Sequence, residues 1–160
     1  MTSNAPSQVP HLESLALFIR HLCLTATSTA DSGHLTSSLS AADLMTGLLF
    51  GGTFRFKVDE PDHPGNDRLI FSKGHASPLF YALWAAAGGI DAQELASYRQ
   101  FGSRLEGHPT PRFRYAEAAT GSLSDRPAVR FVRSLLIALV AMISTSHHAV
   151  ETLLGFVAGG

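Results

Sequence analysis

A chain of 160 residues, with 45% hydrophobic and 16% charged residues, is long enough for one domain with its own core and too short for two. A formal net charge of −1 and a pI near 6.7 give no electrostatic case for nucleic acid or an anionic membrane as partner. The single cysteine, Cys23, sits between Leu22 and Leu24 and has no CxxC partner, so it builds neither an intramolecular disulfide nor a thiolate metal site. It reads as a small buried hydrophobe, which fits a reducing cytoplasm.

Residues 1–10 are polar and lack the basic region and apolar run of a secretory signal, so they are expected to be a disordered lead. From His11 to about Thr29, Leu12, Leu15, Leu17, Ile19, Leu22 and Leu24 recur mostly three or four apart, the period of an amphipathic helix facing a core. His11 and His21 fall on or near its surface. A loop rich in small residues, Asp31 to Leu39, ends in a second helix. There Ser40 and Asp43 have the spacing of a capping box, Leu44, Met45, Leu48, Leu49 and Phe50 supply an apolar face, and Gly51-Gly52 stops the helix. Phe54, Phe56 and Val58 alternate with Arg55 and Lys57 as in a short edge strand. Asp59 to Asp67, with Pro61, Pro64 and Gly65, is a solvent loop.

The chain is organised around the stretch Asp67 to Pro78. Leu69-Ile70-Phe71 is a brief apolar run of the kind found in a buried parallel strand. Ser77 is suited to cap the helix that follows, and Pro78 to its first position, where no backbone N–H is needed. Between them Gly74 allows a sharp turn that presents His75 at a strand's carboxyl end and a helix's amino end, a crevice that favours anions such as phosphate. The helix runs to Ala87 and ends at Gly88-Gly89, and Asp91 with Glu94 caps a short helix to about Ser97. Tyr98 to Arg114 has no period and several arginines, and a loop of that length in a compact domain is usually functional. Arg99, Arg104 and Arg112 in this loop are candidates to meet an anionic group.

Two further histidines share the setting of His75: His34 in Asp31-Ser32-Gly33-His34, and His108 in Glu106-Gly107-His108-Pro109. Any one Gly-His step is explained by a turn, but three suggest backbones bent so that imidazoles meet a small molecule. Residues 124–160 differ: Leu135 to Ile143 is a nearly unbroken apolar run, shorter than the ~20 residues of a membrane span. It reads as a buried helix with Asp125 as cap and Pro127 in its first turn, or as a poorly ordered tail. His147-His148 lie on different helix faces and lack metal-ligand spacing.

Ser32-Gly33-His34, Asp67-Arg68 with Ser72-Lys73-Gly74-His75-Ala76, Gly107-His108-Pro109 and Thr120-Gly121-Ser122-Leu123 occur in that order. Together they resemble the amino-terminal part of a transketolase, over roughly residues 10–123. The resemblance implies an α/β fold: a partial thiamine diphosphate-binding domain over residues 11–123, mostly helical with one or two short parallel strands near Arg68 to Ser72. Residues 124–160 would be a divergent apolar tail.

The same resemblance implies thiamine diphosphate and Mg2+ as cofactors, a sugar phosphate as substrate, a C-terminal transketolase chain carrying the pyrimidine-binding domain as partner, and an oligomer. His75 matches the histidine that contacts the cofactor diphosphate. Gly121, Ser122 and Leu123 match the backbone strip that runs along the cofactor. His34 and His108 match histidines that face the substrate hydroxyls and the developing alkoxide, work that suits an imidazole, which gives or takes a proton near neutrality.

Beyond Leu123 the pattern departs. The family continues Gly-Gln-Gly where this chain has Ser124-Asp125-Arg126-Pro127, and the family's Gly-Asp-Gly, which with a downstream Asn holds the magnesium ion, does not occur in this sequence, so no metal ligand is assigned. Three readings follow: part of a ketol transferase that works only with other chains, a non-catalytic remnant that does not bind the cofactor, or an unrelated histidine-based module for a metal or small ligand.

Overall fold

The computed structural model describes residues 8–119, and within them five α-helices and a 3₁₀ turn account for all the regular structure. The first helix, α1 (Val9–Thr29), places Pro10 in its first turn, where a missing N–H costs nothing. Its core face is Ala16, Ile19, Cys23, Ala26 and Thr27, at three- and four-residue spacing. Leu17 and Leu24 lie about 100° round the axis from Ala16 and Cys23, and they are 65% and 48% exposed rather than buried. His11 and His21 are exposed, as their spacing implies. Burial pushes the Cys23 thiol up to about 12, so it packs as a hydrophobe and is not a nucleophile at neutral pH.

The end of the stretch expected as loop, Asp31 to Leu39, is itself a helix, α2 (Leu35–Leu39), and the second expected helix is α3 (Ala42–Phe50). Ser40 does not cap α3. Its hydroxyl donates to the Ser37 carbonyl, and the residue before α3 is Ala41, with no side-chain cap. Asp43 instead receives both Arg20 nitrogens, at 2.8 and 2.5 Å, which ties α3 to α1. That bidentate pair is why the guanidinium holds the Asp43 carboxyl below its ordinary value.

No strand is present among the described residues. Arg68–Ser72 and Phe54–Val58, expected as strands, run without a ladder. The reason lies in how the second segment is held. The Asp67 N–H donates to the Arg55 carbonyl at 2.8 Å, but the Arg55 and Lys57 N–H groups go to the side chains of Asp67 and Asn66, at 2.7 and 3.0 Å. Side-chain oxygens thus stand where ladder carbonyls would, and the Asn66 amide further donates to the carbonyls of Glu60 and Pro61.

The 3₁₀ turn Gly74–Ala76 leads into α4 (Ser77–Ala86), which is buried from Ser77 through Trp84 and touches every other helix. Leu79 and Leu83 are fully enclosed, and Phe80, Tyr81 and Trp84 join Phe56, Phe71, Phe113 and Tyr115 in an aromatic cluster with ring separations of 4.4 to 6.3 Å. A Schellman stop ends α4: the Gly89 N–H donates to the Trp84 carbonyl at 2.8 Å and the Gly88 N–H to that of Ala85 at 3.0 Å, with Gly88 at φ +82°. In α5 (Ala92–Ala96) the Asp91 carboxylate accepts from the Glu94 N–H at 2.7 Å, half of the expected capping box; the Glu94 carboxylate goes to Arg104 instead. The tail beginning at Ser124, with its expected helix, lies outside the described residues.

The Arg20–Asp43 pair gives the first prediction. A group whose folded value is lowered stabilises above its unfolded pKa and loses that contribution as pH falls. Asp43→Asn is therefore expected to cost ~0.2–1 kcal/mol near pH 7, as for an ion pair with one exposed partner. Urea unfolding should show the difference from the parent chain shrinking below pH ~4 and with added salt.

Candidate functional site

Each of the three Gly-His steps lies at a break in the helical structure. Gly33, at φ +117°, turns the chain out of α1, and His34 takes the position just before α2, its carbonyl accepting the Ser38 N–H and hydroxyl at 3.3 Å each. The second step forms the 3₁₀ turn itself, closed by the Ala76 N–H on the Lys73 carbonyl at 2.9 Å, with Gly74 and Ala76 buried and His75 half-buried. His108 lies in residues 98–119, which hold neither helix nor strand.

Tertiary structure brings these three histidines together. The rings of His34 and His75 are 4.8 Å apart at 73°, and those of His75 and His108 are 5.2 Å apart at 76°. His75 is thus the middle of an edge-to-face row whose outer members, His34 and His108, are exposed to solvent. Such a row presents several N–H donors and nitrogen acceptors to one small molecule, with a group able to carry a proton at each end. Lys73 lies on the same turn, its ammonium 3.3 Å from the Ser40 hydroxyl at the α2–α3 junction.

Among the described residues no group of three or more His, Cys, Asp or Glu side chains is arranged to hold an ion.

The His108 loop is fastened to α4. Ser77, expected to cap that helix, has a different partner: its hydroxyl donates to the Gly107 carbonyl at 2.7 Å, and α4 begins without a side-chain cap. One turn further along, the Tyr81 hydroxyl donates to the Glu106 carbonyl at 2.9 Å. Periodicity alone does not point Tyr81 to this carbonyl. The available signal was chemical, because a buried phenol needs a partner for its hydroxyl. Burial, with Tyr98 and Glu106 nearby, drives the Tyr81 phenol above its ordinary value, so it remains a donor.

The arginine candidates are occupied or packed. Arg104 pairs with Glu94 and Arg112 with Glu106, each at 2.6 Å, and Arg99 packs close against Gly107. Arg104 thereby ties the loop to α5, and Arg112 joins two points within the loop. Gly121, Ser122 and Leu123 lie outside the described residues.

Residues 12–133 match the family model described as transketolase, thiamine diphosphate binding domain. Transketolase-like protein 2 of Bos taurus is 47% identical over 114 residues, which is 71% of this chain and 18% of that protein. Transketolase of Homo sapiens is 46% identical over the same length and shares. Among solved structures, transketolase from Leishmania mexicana superimposes with a TM-score of 0.66 at 32% identity, over 70% of this chain and 17% of that one. The chain thus spans less than a fifth of the length of these relatives.

Tyr81→Phe is expected to cost ~0.5–1.5 kcal/mol by leaving the Glu106 carbonyl without its donor. A raised phenol stabilises the fold below its unfolded value, ~10, and that contribution is lost as pH rises. Unfolding followed from pH 8 upward should therefore show the parent chain losing stability faster than the Phe variant, the two converging in strong alkali.

Proposed function

The chain belongs to the transketolase family, and from that premise we propose that it is the amino-terminal part of a thiamine diphosphate-dependent ketol transferase. The whole enzyme would move a two-carbon unit between sugar phosphates, and this chain would act only together with one that carries the pyrimidine-binding domain. The observation that carries the reading is the meeting of His34, His75 and His108 in one row, since these are the histidines that the family motifs single out.

The donors present suit an anionic diphosphate. An imidazole N–H and the Lys73 ammonium give charge-assisted hydrogen bonds to phosphate oxygens, and His75, half-buried behind two exposed rings, is placed to hold one in a fixed geometry. Bound thiamine diphosphate supplies the nucleophilic carbon for the transfer. His34 and His108, at the exposed ends, would orient the sugar hydroxyls and hold or release the proton as an alkoxide forms and collapses. Backbone at Gly121, Ser122 and Leu123 would run alongside the cofactor.

Magnesium does not fit the described residues, which offer no cluster of hard oxygen ligands, and no step is assigned to it. Among the described residues no helix is long and apolar enough to cross a membrane. A cytoplasmic setting in carbohydrate metabolism is part of the proposal, in keeping with the buried, unpaired Cys23.

Calorimetric titration with thiamine diphosphate tests the reading, with and without magnesium, on the chain alone and mixed with a chain supplying the pyrimidine-binding domain. Saturable binding is expected, weakened roughly tenfold or more by His75→Ala, the loss of one charge-assisted hydrogen bond. A folded chain that binds no cofactor under any of these conditions overturns the proposal and leaves a non-catalytic remnant of the family.

A further inference from the structure

The three histidine-bearing segments share one buried phenol. Tyr98 is 1% exposed, and its hydroxyl lies 2.9 Å from the Ser77 hydroxyl oxygen, which is itself fully buried. The proton order follows from the chemistry of the groups. The Gly107 carbonyl, 2.7 Å from the Ser77 oxygen, can only accept, so the single Ser77 proton goes there and Tyr98 donates to Ser77. The chain of bonds therefore runs from Tyr98 through Ser77 to Gly107, the residue before His108. Ser77 is two residues beyond His75.

The same phenol also meets the remaining segment. A Cβ placed on Gly33 would stand 3.2 Å from both the Tyr98 ring edge and its hydroxyl, and 3.0 Å from the Thr27 methyl. Gly33 at φ +117° is thus pressed onto the phenol, and His34 follows directly.

We infer that Tyr98 is a positioning residue: through its ring it sets where His34 enters the row, and through Ser77 it sets where His108 enters. Nothing in the family match assigns it this part. The inference rests on the proposed function only for the use to which the row is put; the geometry stands without it.

Two-dimensional NMR of the imidazole resonances in the full chain, without cofactor, is the test. Tyr98→Phe keeps the ring edge against Gly33 and removes the donor, so the His108 resonances should shift by more than those of His34. Ser77→Ala deletes the hydroxyl link and should shift His108 in the same sense and further, again by more than His34. Tyr98→Leu removes ring and hydroxyl and should shift both. His11 and His21 on the outer face of α1 are the internal control, since general loosening moves them as well. If His108 moves no more than His11 and His21 in the folded Tyr98→Phe and Ser77→Ala variants, the inference is overturned. Failure of the chain to bind thiamine diphosphate would leave these shifts unaffected, so the two proposals fail separately.

Discussion

The structure depends on a helix with no solvent face. From Ser77 to Trp84 every residue of α4 is buried, so each neighbouring element must present complementary apolar surface to it, and each polar atom it carries must find a partner inside. The apolar demand is met by α1 along one side and by the aromatic residues of the segments around residues 56, 71 and 113–115 along others. The polar demand is met at Ser77 and Tyr81, one turn apart, which both donate to carbonyls of the loop before His108, while the buried Trp84 indole N–H has no hydrogen-bond partner among the described residues. Burial of a helix thereby fixes a loop that has no regular structure of its own.

The same constraint accounts for the placing of the histidine row. His75 sits in the 3₁₀ turn that opens the buried helix, so its position is inherited from the core. α2, which begins directly after His34, packs against both that turn and α4. His108 arrives through the hydroxyl links. The outer rings remain open to solvent while the backbone beneath them is held by enclosed groups, the combination a site needs if it is to admit a substrate without losing its geometry. The ion pairs on the loop, Arg104 with Glu94 and Arg112 with Glu106, add to this hold at the surface, where screening limits what each contributes.

Much of this was legible in the residues. The long first helix, the helix after Pro78, its glycine stop, the cap at Asp91 and the three Gly-His steps all rest on local signals: periodicity, missing N–H groups, short polar side chains and positive φ. Where local reading went astray, a tertiary partner had outbid a local one. Ser77 is a sound cap by residue type, yet its hydroxyl is drawn to Gly107; Ser40 is the exception, its hydroxyl turning back locally to the Ser37 carbonyl. Asp43 turns to Arg20 on another helix. Leu17 and Leu24 fit an apolar period in the sequence, but the direction of the face is set by whatever the helix packs against. The apolar run at Leu69 had the composition of a strand, while a strand also requires a ladder partner, and among the described residues there is none.

By itself, then, the sequence determined the long first helix and the helix after Pro78, their glycine and proline boundaries, the family, and the three Gly-His steps that carry its motifs, because each of these follows from a residue's own backbone preference or from motifs read in order. Only the tertiary structure decided that His34, His75 and His108 stand ring to ring, and that Tyr98, Ser77 and Tyr81 hold them there. Those contacts join residues 21 to 41 positions apart in the chain, and a hydroxyl's choice among possible partners is settled by which acceptor the packed core leaves within reach of it.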